Sequence, residues 1–139
     1  MRDLMNEIDI KRAISPVSVS DNTAQTSQAV DLQGFDSCTF VIAIGSVADA
    51  DATFAVEVQE CDTSGGTYTA VADKDLVGTE ALAGFQFDDD NECRKIGYVG
   101  SKRYVKLVIT PSANASAALL SAVAVLGHPN IAPTANPPA

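Results

Sequence analysis

The chain has 139 residues, the size of one domain, and at that length about two thirds of the unfolded surface can be buried on folding. Apolar residues make up 46%, but 21 of them are alanine and none is tryptophan, so the core must come from small and aliphatic side chains. Eighteen Asp and Glu against nine Lys and Arg give a formal charge of −9, which argues against nucleic acid or an anionic membrane as partner, since both ask for net positive surface.

No apolar run reaches the ~20 residues of a membrane-spanning helix, and residues 1–13 lack the apolar stretch of a secretion signal. The expectation is a soluble chain made in a cytosol. Along the chain, residues 1–26 read as a loosely built N-terminal arm. Leu4 and Ile8 are spaced for one or two helical turns. Ser15-Pro16 marks an extended or turn segment, with an edge strand allowed over residues 16–20.

The body spans residues 27–127. Residues 38–44 place Cys38, Phe40, Ile42 and Ile44 on one face and Thr39, Val41 and Ala43 on the other, the pattern of a central strand covered on both sides. After a polar turn, Phe54, Val56 and Val58 alternate with Ala55, Glu57 and Gln59, as in a half-buried strand. The stretch Asp62-Thr63-Ser64-Gly65-Gly66 has turn chemistry, and residues 68–71 return as its hairpin partner. A loop-rich stretch, 73–92, ends in Asp88, Asp89, Asp90, Asn91 and Glu92. Strands are expected at 94–99, at 103–110 with Val105, Leu107 and Ile109 inward, and at 119–126 as a buried closing strand.

Pro129, Pro133, Pro137 and Pro138 give residues 128–139 the character of an extended C-terminal arm. About seven or eight short strands between turn signals predict an all-β fold, an antiparallel β-sandwich or barrel of jelly-roll-like form with extended arms at both ends. Its exposed strand edges would offer neighbours places to add strands.

Catalytic chemistry has few carriers. Cys38, Cys61 and Cys93 form no C-x-x-C spacing and read as reduced, strand-borne thiols. The single histidine, His128, stands where a strand gives way to the Pro-rich arm, a poor place for a rigid base. No nucleophile elbow, zinc-binding helix, phosphate loop or dinucleotide fingerprint occurs. A non-enzymatic protein without a cofactor is expected. The run from Asp88 to Glu92 and the pair Asp49 and Asp51 offer oxygens to a cation, but successive carboxylates on an extended segment point to opposite sides, so solvated acidic loops are expected instead. A carbohydrate platform would need Tyr68, Tyr98 and Tyr104 on one face.

Charge is uneven. Eight acidic residues and no basic one lie between Ala13 and Ala72, whereas Arg94, Lys95, Lys102, Arg103 and Lys106 cluster in the second half. Either this cluster meets acid on a neighbouring copy or it neutralises the 88–92 run within its own chain.

The segments Val30-Asp31-Leu32-Gln33-Gly34-Phe35-Asp36-Ser37, residues 56–68, Gly97-Tyr98-Val99-Gly100-Ser101-Lys102-Arg103-Tyr104-Val105 and Leu126-Gly127-His128-Pro129 come in this order in a chain of this length. The series, over roughly residues 30–133, resembles small virion structural proteins of tailed bacteriophages. That resemblance implies a cement or decoration protein on the capsid exterior. Its partners would be the major capsid protein and further copies of itself, with assembly in the host cytoplasm. A head–tail connector or tail protein, and a surface carbohydrate- or receptor-binding module, are the competing expectations. Contacts are expected from the arms, through Arg2, Lys11 and Arg12 in front and Ile131, Pro133, Pro137 and Pro138 behind. Lys102 and Arg103, on an exposed turn, come second.

Overall fold

A single 3-10 turn at Met5–Glu7 leads into β1 (Ile8–Val19), and the chain then runs almost entirely as strand. The computed structural model describes residues 2–138, so Met1 and Ala139, the outer ends of the two expected arms, lie outside the described residues. The further strands are β2 (Gln25–Thr26), β3 (Val30–Asp31), β4 (Phe35–Val47), β5 (Thr53–Cys61), β6 (Thr69–Ala70), β7 (Leu76–Val77), β8 (Phe85–Gln86), β9 (Cys93–Tyr98), β10 (Tyr104–Ser112) and β11 (Ala118–Pro129). One short helix, α1 (Glu80–Ala83), precedes β8. Its N-cap is Thr79, whose Oγ1 accepts the Leu82 amide at 3.1 Å.

Two antiparallel sheets stack as a sandwich. The first has the order β1-β11-β4-β9-β7 and the second β2-β10-β5-β6, with β3 also on β10 and β8 also on β5. Because β2 and β3 share one side of β10, and β6 and β8 one side of β5, each two-residue pair fills a single strand position. The second sheet thus has four strand positions, the first has four longer strands with the two-residue β7 at one edge, and the chain passes from one sheet to the other at most connections. That winding is a jelly roll. The separate sheet edges decide for the sandwich over the barrel.

The inward alternation is as expected in the strongest strands. Phe40 and Ile42 of β4, Val56 and Val58 of β5, and Val105, Leu107 and Ile109 of β10 form the core with Ile96 and Leu126.

Three features depart from the expectation. First, residues 8–19 of the expected N-terminal arm form a full strand of the first sheet, paired with β11 from Ile8↔Gly127 to Val19↔Ala118. Bulges between Arg12 and Ile14 and between Ile14 and Val17 shift the phase, so that Ala13 and Ile14 are both buried. A slipped period of two hides the strand from a reading of alternation.

Second, β4 and β11 are covered on one side only. Leu119 remains 45% exposed and Val123 36%, because no further layer of this chain lies over the first sheet. Third, the long free edge of β1 is sealed from within. Thr134 Oγ1 donates to the Ile8 carbonyl, Asp9 Oδ1 accepts the Ile10 amide at 3.0 Å, and Gln28 Nε2 donates to the Arg12 carbonyl at 2.7 Å. Strand addition at these positions would have to break bonds already made.

Candidate interaction surface

The outer face of the first sheet is built by register. One row across it reads Arg12, Val123, Val41, Lys95, and the next reads Ile10, Val125, Thr39, Gly97, Val77. A third places Ser121 beside Ala43 and Cys93. The strands project no Asp or Glu onto this face, in a chain of net charge −9. The outer face of the second sheet differs, carrying Tyr104, Lys106, Glu57, Gln59 and Cys61. One sandwich therefore has a polar side and an apolar side on which, among the described strand residues, the charges are the two cations Arg12 and Lys95.

Glycines give the apolar side its relief. A Cβ added at Gly45 would sit 2.9 Å from Leu119 Cβ, and one at Gly97 would sit 3.1 Å from Val77 Cβ. Hollows of about 460 Å³ beside Gly45 and Leu119, and about 420 Å³ beside Gly97 and Val77, flank the valine rows. A third, about 440 Å³, opens where Leu4, Met5, Ile8 and Ile10 meet Ala135, Asn136 and Pro138.

That third hollow exists because the two terminal segments clasp. The Thr134 amide donates to the Asn6 carbonyl at 3.0 Å, and its hydroxyl donates to the Ile8 carbonyl. Farther up the same segment, the Asn130 amide donates to the Gly34 carbonyl at 2.9 Å. Arg2, Pro133, Pro137 and Pro138 are exposed here, and Ile131 is 82% exposed. The two segments that carry the expected contacts thus meet through Thr134, and of the expected residues Pro138 lines the hollow between them.

The basic candidates fare differently. Lys11 turns inward to Asp9, 3.3 Å away. The Arg12 guanidinium donates to Ser15 Oγ and Gln28 Oε1, both at 2.9 Å. Lys102 pairs with Asp62 at 2.9 Å, and Arg103 holds both oxygens of Asp31 at 2.9 and 2.8 Å. The Arg103 hydrogen bonds keep the Asp31 carboxyl below its ordinary pKa, against a smaller opposing effect of desolvation. Arg94 bridges Asp89 at 3.1 Å and Glu92 at 2.6 Å. Three of the five cluster residues, Arg94, Lys102 and Arg103, are paired within the chain, and their partners reach beyond the 88–92 run to Asp31 and Asp62.

Other candidates also find their places. Among the described residues no three acidic, cysteine or histidine side chains gather to hold a metal. Asp89 instead accepts the Gln86 amide at 2.8 Å and Asp49 accepts the amides of Asp51 and Ala115. His128 Nδ1 lies 3.0 Å from Ser37 Oγ at an exposed position, with no carboxylate behind it among the described residues. Cys38 is buried, and that burial pushes its thiol up to about 12, while Cys61 is half-buried and Cys93 is exposed on the apolar face.

The tyrosines do not form one platform. Tyr98 is 3% exposed and belongs to the core. Tyr68 has Lys106 Nζ over its ring at 4.2 Å, and Tyr104 has the Arg103 guanidinium at 5.0 Å.

Sequence reading alone does not identify Leu119 and Val123 as surface residues or Thr134 as the clasp. The alternation Leu119, Ser121, Val123, Val125 carries the first signal, whereas nothing local in the sequence marks the second.

No protein-family model matches the chain, and no curated protein matches it. Among solved structures the chain is similar to the PBSX exported protein XepA, with 12% identity and a TM-score of 0.56, over 91% of this chain and 39% of that one. It thus spans well under half the length of XepA. The CBM22-1–GH10 modules of Clostridium thermocellum xylanase 10B also resemble it, with 12% identity and a TM-score of 0.47, over 95% and 28% of the two chains. So does infectious bursal disease virus, with 12% identity and a TM-score of 0.48, over 91% and 35%. At this identity the likeness to XepA shows a shared fold.

Proposed function

We propose that the protein is a non-enzymatic structural component of a tailed-phage virion, a cement or decoration protein that binds the outside of the major capsid lattice and stabilises the head. The observation that carries this reading is the terminal clasp. The two terminal segments meet at one corner of the sandwich, where Leu4 and Met5 stand exposed beside an apolar hollow of about 440 Å³ that Ile10, Ala135 and Pro138 also line.

Such a corner suits docking onto a subunit surface, since apolar side chains beside a cleft remove most area from water for each residue ordered. Many weak copies of that contact on one lattice give avidity. The acidic remainder is repelled by packaged nucleic acid and so favours the exterior. The sequence resemblance to small phage virion proteins points the same way. A carbohydrate module fits less well, because the rings of Tyr68 and Tyr104 face cations of their own chain.

The test is co-sedimentation with capsids assembled without this protein. Binding that is lost in Leu4→Asp and Met5→Asp with an unchanged melting curve supports the reading. If the intact chain ignores capsids but binds tail assemblies or a xylan column, the head assignment fails.

A further inference from the structure

We propose that the outer face of the first sheet is a self-association surface on which two copies of this chain pack face to face about a two-fold axis. The surface adjoins the terminal clasp at Ile10, but its central residues Val123 and Val41 do not line the clasp hollow, and the inference does not depend on capsid binding.

Charge carries the argument first. Two copies at net charge −9 repel each other wherever their carboxylates approach. The rows through Val123 and Val41, and through Val125 and Thr39, are where neither copy presents Asp or Glu. The two cations, Arg12 and Lys95, stand at the ends of their row and remain at the wet rim, where like charges cost little.

Shape and size agree. Leu119 and Val123 are raised, hollows of about 460 and 420 Å³ open beside Gly45 and Gly97, and a two-fold axis brings the ridges of each copy against the hollows of the other. Four strands ~4.8 Å apart, running for about ten residues, give a footprint of roughly 600 Å², comparable to the ~800 Å² of accessible surface that each partner commits in a stable complex. Sheet-on-sheet packing of this kind is how the sandwich itself is made. Strand addition is excluded as the alternative along the sealed stretch of β1, so association on this side is face-on.

The test is sedimentation velocity of the full chain over a concentration series. The expected result is a monomer–dimer equilibrium. Val123→Asp should weaken it by about 100-fold or more, because the new carboxylates would be desolvated beside an Arg12 guanidinium already committed to Ser15 and Gln28. Thr110→Asp, on the outer face of the second sheet, should leave it unchanged. A second readout avoids dependence on the variant folding. With Cys61 replaced by serine, alkylation of Cys93 should slow as the wild-type face dimerises at rising concentration. A monomer at every concentration, or a dimer that survives Val123→Asp with Cys93 still reactive, overturns the proposal.

Discussion

The Tyr98 hydroxyl, on β9 of the first sheet, donates to Glu60 Oε2 on β5 of the second at 2.7 Å. The Tyr98 hydroxyl oxygen also accepts the Lys102 amide at 3.0 Å, so one side chain ties the two sheets and the 100–102 turn together. Gly100 is required beneath it, since a Cβ there would fall 2.5 Å from the hydroxyl. This latch stands at the end of the sandwich where β9 passes into β10.

Tyr98→Phe should cost about 1.5–3 kcal/mol at neutral pH, the range for a hydrogen bond to a charged group. Burial, and then the Glu60 hydrogen bond, raise the Tyr98 pKa above its ordinary value of 10.0. Its contribution is therefore complete below about pH 10 and is lost as pH rises through the folded value. Urea midpoints of wild type and variant should differ at neutral pH and converge at strongly alkaline pH.

Asp31→Asn removes a doubly bonded but half-exposed pair with Arg103. The expected loss is small, about 0–1 kcal/mol, because solvent screens it. The folded Asp31 pKa lies below 3.8. The stabilisation is present above that ordinary value and disappears as pH falls through the depressed one. Thermal melts along an acid series should show the two proteins converging at the acid end.

The thiols should separate by burial. In dilute native protein Cys93 reacts promptly with an aromatic disulfide reagent, whereas Cys38, buried and held protonated, reacts only on unfolding. One slow thiol per chain, released by urea, is the signature to measure.

Thr134→Val deletes the hydroxyl bond that holds the C-terminal segment to Ile8. Global stability should fall by no more than about 0.5–1.5 kcal/mol. Amide exchange and proteolytic cleavage near residues 130–138 should accelerate well beyond that of the core.

Much of the fold was legible in the residues, and the reasons differ by element. Phe54, Val56 and Val58 declare β5 because one face is apolar and the other is not, and β10 follows the same rule. β1 was obscured by its two bulges and by Asp9 and Lys11, charges that point inward and pair near the sheet edge. β11 misled in the opposite direction. Apolar residues on both of its faces suggest full coverage, but apolar character on the outer face fixes no neighbour within the chain.

The candidate surface was harder to see. The expected contacts were read on two separate arms, and only the long-range bonds from Thr134 to residues 6 and 8 bring the two terminal segments together. The charges of Lys102 and Arg103 looked available because their partners, Asp62 and Asp31, are far away in sequence. Cross-strand pairing brings Tyr104 opposite Cys61 and Asp31, and so places each cation beside its acid.

Binding to capsids that lack this protein tests the central claim most directly. Intact chain, Leu4→Asp and Val123→Asp should be sedimented with such particles in parallel. Saturable binding by the intact chain, lost in Leu4→Asp and retained at least in part by Val123→Asp, is the expected result. Failure of the intact chain to bind, or undiminished binding by Leu4→Asp, would contradict docking of the capsid at the terminal clasp.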